Sequence, residues 1–391
     1  MAESQKALEL RDSMRPWMRG LVGLLALFLF VSSVTMIGTG LKTIADDKVG
    51  EEFLHWLFGL VDDPITGLFI GLLITSLVQS SSFTTSMVVS FVAAGQVTLT
   101  DAIPIIMGAN IGTSITGLLV SMGHLRRRDE FRRSLGAASC HDFFNLLSVL
   151  MLLPLEVKFK IISRPMVALA ELLQRAGLTS SAGHQDGPIK ICLSAIGKLF
   201  KWLLKDVMHL GKIPSGAIIA ICAMVLLFVA LWLLVKMLRG ILQGRLSNVF
   251  SKTLFRNPAT AFVVGIVMTA SVQSSSVTIS MIVPLVGADV LNLAQVFPYM
   301  LGANIGTTVT AILAALSLGS PAAIACACGH LLFNVYGTGV FWPLKVIPIA
   351  MATTFGDIAA HRRLLAIVYI LGMFFLLPIV VLLIMKGTGH L

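Results

Sequence analysis

The sequence predicts an all-α integral membrane protein built on an internal repeat, and three observations carry that reading. Only 12% of the 391 residues are charged and 56% are apolar, against roughly 25% charged in a soluble domain. Seven apolar runs are long enough for a hydrocarbon core of about 30 Å, which takes about 20 residues of helix. A 56-residue segment, Pro64 to Leu119, recurs without a gap at Pro258 to Leu313, and 25 of the 56 positions are identical.

The elements follow in order. Residues 1–60 give a polar tail and a first membrane helix at 19–41; no small-residue cleavage pattern follows, so the helix reads as retained. Residues 61–156 form repeat unit 1. Its opening stretch, 64–98, contains no Asp, Glu, Lys or Arg, exceeds one crossing, and is interrupted at its centre by Gln79-Ser80-Ser81-Ser82. Halves of about 13 residues cannot span, so the stretch reads as a re-entrant hairpin, tolerated only where its break is buried in protein or lines an aqueous cavity. A membrane helix at 99–122 follows, read as broken at Gly108-Ala109-Asn110-Ile111-Gly112-Thr113, and then a helix at 135–155.

Residues 157–257 comprise a loop, an amphipathic surface helix near 189–210 and a linking membrane helix at 214–237. Repeat unit 2, residues 258–345, has a hairpin at 258–289 around Gln273-Ser274-Ser275-Ser276. It continues with a helix at 292–318, read as broken at Gly302-Ala303-Asn304-Ile305-Gly306-Thr307, and a helix at 322–343. Residues 346–391 carry one C-terminal membrane helix at 363–386. At a slightly different offset His141, Asn145 and Pro154 recur as His330, Asn334 and Pro343. Shared apolar composition does not produce ungapped identity at glycine and polar positions.

The net charge of +10 sits in connections rather than along an aromatic-lined groove, which argues for control of topology and against nucleic-acid binding. Arg126, Arg127, Arg128, Arg132 and Arg133 crowd one loop; Lys236, Arg239, Arg245, Lys252 and Arg256 a second; Lys345, Arg362 and Arg363 a third. Placing these and the N-terminal Lys6, Arg11, Arg15 and Arg19 in the cytoplasm makes the two hairpins enter from opposite sides. Inverted repeats of this kind are common among secondary transporters with a midplane site. The 156–212 connection then lies outside despite its lysines, since long loops translocate largely regardless of charge. The five cysteines show no metal-ligating spacing and read as packing residues.

The two polar clusters offer hydroxyl, amide and freed backbone groups in a small volume. No Lys or Arg lies between Lys48 and Arg126, or between Arg256 and Lys345. An anion held there relies on helix N-termini, hydroxyls and co-bound cations, and the oxygen-rich donor set suits sodium better than a soft metal. Asp142 sits within the 135–155 helix, where an ionisable group is costly and functional by default; Asn145 follows on the same side. No nucleophile–base pair, metal cluster or lysine-bearing phosphate loop argues for an enzyme.

Together, the paired Gln-Ser-Ser-Ser and Gly-Ala-Asn-Ile-Gly-Thr motifs, Glu130-Phe131-Arg132-Arg133, and His141-Asp142-Phe143-Phe144-Asn145 resemble the type II sodium-dependent phosphate cotransporters. The resemblance covers roughly 60–343. It implies an elevator-like, inverted-repeat symporter of inorganic phosphate and sodium, with sodium as coupling ion and no other cofactor. It implies phosphate contacts from Gln79, Ser80, Ser81, Ser82, Asn110, Thr113, Gln273, Ser274, Ser275, Ser276, Asn304 and Thr307. Sodium contacts are implied from Gln79, Ser82, Thr84, Asn110, Asp142, Asn145, Gln273, Ser276, Thr278, Asn304 and Thr308. Gly136, Ala138 and Asp142 match the electrogenic members. A 156–212 connection with one cysteine and no Asn-x-Ser/Thr site resembles a bacterial, cytoplasmic-membrane member, with a homodimer left open. One departure stands out: His124 and Arg127 occupy positions where many relatives have Gln and Asp. Carriage of another oxyanion or a dicarboxylate, or export, is the alternative on the same scaffold, with a membrane enzyme or scaffold behind it.

Overall fold

A computed structural model describes residues 16–59, 61, 63–176, 188–243 and 255–387. The described residues form helices and connecting turns, with no strand among them. Seven helical stretches are long and apolar enough to cross a membrane, and they fall where the seven apolar runs do: this is a multi-pass membrane protein. They are α1 (Pro16–Ala45), α5 (Leu99–Met122), α6 (Arg128–Phe159), α9 (Lys212–Gln243), α12 (Leu293–Leu318), α13 (Pro321–Phe341), and a composite of α15 (Arg363–Leu371), a π-helical turn (Gly372–Leu376) and α16 (Leu377–Gly387). Shorter helices fill the gaps: α2 (Lys48–Gly59), α3 (Pro64–Val78), α4 (Ser81–Ala93), α7 (Ser163–Arg175), α8 (Pro188–Trp202), α10 (Pro258–Val272), α11 (Ser275–Gly287) and α14 (Val346–His361).

The two expected hairpins are α3–α4 and α10–α11, and the same devices build each. Asp63 caps α3, accepting from the N–H groups of Ile65 and Thr66 at 2.9 Å; Asn257 caps α10, accepting from Ala259 N–H at 2.9 Å. Pro64 and Pro258 follow at the first helical position, where a missing N–H costs nothing. The chain reverses at Gln79 (φ 57°) and Gln273 (φ 55°), both left-handed. Ser80 and Ser274 then cap α4 and α11 through the N–H groups of Phe83 and Val277. The arms are clamped by matching hydroxyl pairs, Thr75 to Thr84 and Thr269 to Thr278, each at 2.8 Å.

The structure corrects one expectation about the long helices. α5 and α12 run unbroken through Gly108–Thr113 and Gly302–Thr307. Their glycines permit close approach instead. A methyl group on Gly108 would strike the Leu68 carbonyl, and one on Gly302 the Phe262 carbonyl; Gly71 and Gly265, facing them, would meet Ile105 and Tyr299 in the same way. Small residues let backbones approach in this manner where no hydrophobic drive separates helix from lipid. Each hairpin's first arm therefore lies against the helix that follows it.

The open ends of the hairpins lie at opposite ends of α5. Gly287, closing α11, packs on Ser134, Glu130 and His124, and its carbonyl accepts from Arg133 Nε at 2.9 Å. Gly67, in the first turn of α3, packs instead beside Pro104 and Ile105, near the start of α5.

A second correction concerns the C-terminus, where α14 precedes the final composite helix. α14 runs antiparallel along α6, with Gly356 against the Arg132 carbonyl, Arg132 paired with Asp357 at 3.2 Å, and Arg128 meeting His361. Lys345 and Arg362 therefore stand at opposite ends of a 16-residue helix rather than in one loop. Neither α14 nor α7 is foreseen from the sequence. Lys6, Arg11, Arg15, Arg245 and Lys252, and residues 177–187 of the long connection, lie outside the described residues. Elsewhere, α1 crosses α9 where Gly40 meets Gly216, and Phe83 of α4 meets Phe228 of α9 edge to face.

Candidate functional site

The polar residues of both repeats converge on α6. Asn145 is its hub and is fully buried. Its Nδ2 donates to the Asn110 carbonyl at 3.0 Å and to Ser114 Oγ at 3.2 Å, and its Oδ1 accepts from Asn304 Nδ2 at 2.7 Å. Asn304 Oδ1 can only accept, so His141, 2.8 Å away, donates to it from Nε2. That fixes the tautomer, and the 3.2 Å approach of Asn145 Nδ2 to the same nitrogen is donor against donor. One asparagine thus joins α5, α6 and α12. Asn110 itself donates to the Ile106 carbonyl of its own helix at 2.9 Å.

The hairpin tips meet beside this centre. Ser82 Oγ donates to the backbone carbonyl of Gln273 at 2.7 Å, with Thr310 Oγ1 at 3.5 Å. Ser81, Ser82, Ser275 and Ser276 are all buried. Being the first residues of α4 and α11, they leave N–H groups without an i−4 carbonyl, at the positive end of each helix dipole. Gln79 is exposed and Ser80 half-buried, whereas the Oε1 atom of Gln273 is buried without a partner.

Threonines of the set divide by what their hydrogens do. Thr113 donates to the Ala109 carbonyl at 2.9 Å, Thr307 to Ala303 at 3.0 Å and Thr308 to Ile305 at 2.7 Å. A hydroxyl so committed keeps only lone pairs to offer, which suits a cation and not an anion. Thr84 and Thr278 are the hairpin clamps described above.

Asp142 is buried on α6 but stands outside the asparagine network. Its Oδ2 accepts from Tyr369 of α15 at 2.5 Å, Oδ1 has no hydrogen-bond partner, and Ser114 adjoins the carboxyl group. Ser114 is thus the bridge between Asp142 and Asn145. Ser114, Tyr369, Thr75, Thr269 and Thr310 belong to the site or its frame and are not among the residues expected from the sequence. The repeat carries a signal for most of them: Thr75 recurs as Thr269, Thr116 as Thr310 and Ser114 as Thr308. Tyr369 has no repeat counterpart. His124 is partly buried with Nδ1 unpaired, and Arg127 pairs with Glu130 at the surface at 2.9 Å.

Fold and site together define a multi-pass membrane protein whose buried polar centre is built by two copies of one motif set and, among the described residues, holds no lysine or arginine. The chain belongs to the Na+/Pi-cotransporter family, whose model matches residues 29–174 and 226–356. It is 36% identical over 419 residues to the sodium-dependent phosphate transport protein 2A of Rattus norvegicus, covering 90% of this chain and 65% of that protein. Against the 2B protein of Homo sapiens it is 33% identical over 439 residues, covering 91% and 63%. The chain thus spans somewhat under two thirds of the length of these relatives. No solved structure matches it.

Proposed function

We propose that the protein is a sodium-coupled symporter of inorganic phosphate, in the cytoplasmic membrane of a bacterium, with two inverted units, 61–156 and 258–345, working as an elevator-like carrier. The observation that carries this reading is the pairing of two kinds of group in one centre without a basic side chain. Helix N-termini at Ser81–Ser82 and Ser275–Ser276 offer N–H donors for an anion. Committed hydroxyls, carbonyls and the free oxygen of Asp142 offer lone pairs for small cations. Each charge is costly alone in a low-dielectric centre, so the two kinds of ion enter together and coupling follows. The relatives, named as sodium-dependent phosphate transport proteins, support the assignment of the ions.

Purified protein in liposomes is the test. Radiolabelled phosphate uptake is expected under an inward sodium gradient and at least about tenfold less under an equal potassium gradient, since losing even one contact to a charged group costs about 1.5 kcal/mol or more. Equal rates in sodium-free buffer would refute symport, and efficient competition by succinate or sulfate in place of arsenate would move the substrate to another anion.

The opposed hairpin mouths supply a second prediction. Single cysteines at Thr98 and at Val290, both exposed, in a background lacking the five native cysteines, are expected to react with an impermeant thiol reagent from opposite faces of the membrane. Labelling of both from one face would sink the inverted arrangement.

A further inference from the structure

We propose that Tyr369 is a positioning residue of the cation site: its hydroxyl holds Asp142 in the one orientation that leaves Oδ1 free to ligate sodium. The proposal rests on the reading of Asp142 as a sodium ligand. Tyr369 lies beyond residue 356, where the family match ends, and no repeat motif marks it.

An aspartate χ2 is a soft torsion with broad, two-fold wells, so a buried carboxylate with no fixed contact presents either oxygen. Here Oδ2 is committed to Tyr369 at 2.5 Å and Oδ1 is buried without a hydrogen-bond partner, while Ser114 adjoins the carboxyl group. Asn145 donates to Ser114, so the carboxyl group adjoins the network that joins both repeats. Tyr369 is itself held. Phe355 of α14 packs on its ring at 4.8 Å between centroids, and Phe143 of α6 at 6.2 Å. Phe374, set by the π-helical turn Gly372–Leu376, meets the ring edge-on at 6.5 Å. Such turns inside α-helices recur at functional sites. A tyrosine placed merely to fill space would not need its hydroxyl on the one buried carboxylate of the site.

Tyr369→Phe keeps the ring and its packing and removes only the hydroxyl. In proteoliposomes the sodium concentration for half-maximal uptake is expected to rise about tenfold, the size of a lost hydrogen bond to a charged group. The phosphate KM at saturating sodium, and thermal stability without sodium, should stay within about twofold and a few degrees respectively. In an Asp142→Gly background Tyr369→Phe should add no further shift, because Tyr369 acts only through that carboxylate. Sodium-induced thermal stabilisation of the purified protein, measured without phosphate, separates the outcomes. If the unmutated protein shows no sodium effect, the cation-site reading fails and the proposal with it. A normal sodium response in Tyr369→Phe, or an equal shift with and without Asp142, would overturn the role of Tyr369 alone.

Discussion

Liposomes carrying Asp142→Gly are expected to take up phosphate at a rate that ignores membrane potential, whereas the unmutated protein is accelerated by an inside-negative potential. Resemblance to electrogenic members implies a cycle that moves net positive charge inward. One elementary charge crossing 100 mV is worth about 2.3 kcal/mol, large enough to read directly with a potassium–valinomycin diffusion potential. Asp142 is the fully buried carboxylate of the site, with one oxygen bonded to Tyr369 and one unpartnered. A cation bound there would be the charge that the anion does not neutralise. Glycine in a helix interior costs about 1 kcal/mol, and removing a poorly compensated buried carboxylate offsets much of that. The variant should therefore fold, melting within a few degrees of the parent. Potential-sensitive uptake by Asp142→Gly, or indifference of the parent to potential, would refute this assignment.

The second large effect falls on folding. Valine at Gly108 or Gly302 would drive side-chain carbons into the backbone carbonyls of Leu68 or Phe262, and neither arm can retreat because the facing glycine already sits against the partner backbone. Overpacking without relief costs about 3 kcal/mol or more, and each variant is expected to lose most monodisperse protein in detergent. Gly339 in α13 provides the contrast, since nothing lies within 4 Å of an added methyl there. Gly339→Ala should be neutral or stabilising by about 0.5–1 kcal/mol. Melting curves that ranked Gly108→Val level with Gly339→Ala would restore the idea that Gly108 serves flexibility.

The helical framework was legible because spanning length and apolar content are set by the bilayer, not by partners. The turns at Gln79 and Gln273 were legible because each uncharged stretch is too long for one crossing and carries its polar groups at its middle. Gly108–Thr113 misled because glycine serves two ends in membrane helices, breaking them or letting another backbone in. Only the neighbour decides which, and Leu68 lies 40 positions upstream. α14 was hidden because 16 residues fall short of a crossing, and its place along α6 depends on Gly356 and Asp357. At the site, Asn110, Asn145 and Asn304 were legible as types, and the repeat marked all three. Which of them bonds which was not, and neither was Tyr369, whose contact with Asp142 spans 227 positions.

The bond between Asn304 and Asn145 spans 159 positions, that between His141 and Asn304 spans 163, and that between Ser82 and Gln273 spans 191. During synthesis the first repeat therefore enters the bilayer with Ser82 and part of Asn145 lacking the partners they will have, and an unsatisfied polar group in hydrocarbon costs several kcal/mol. The first half by itself leaves these groups without the partners they have in the finished fold until residue 304 has been made. The polar centre thus stays incomplete until the second repeat has been made, and its last contact, from Tyr369 to Asp142, waits for the final composite helix.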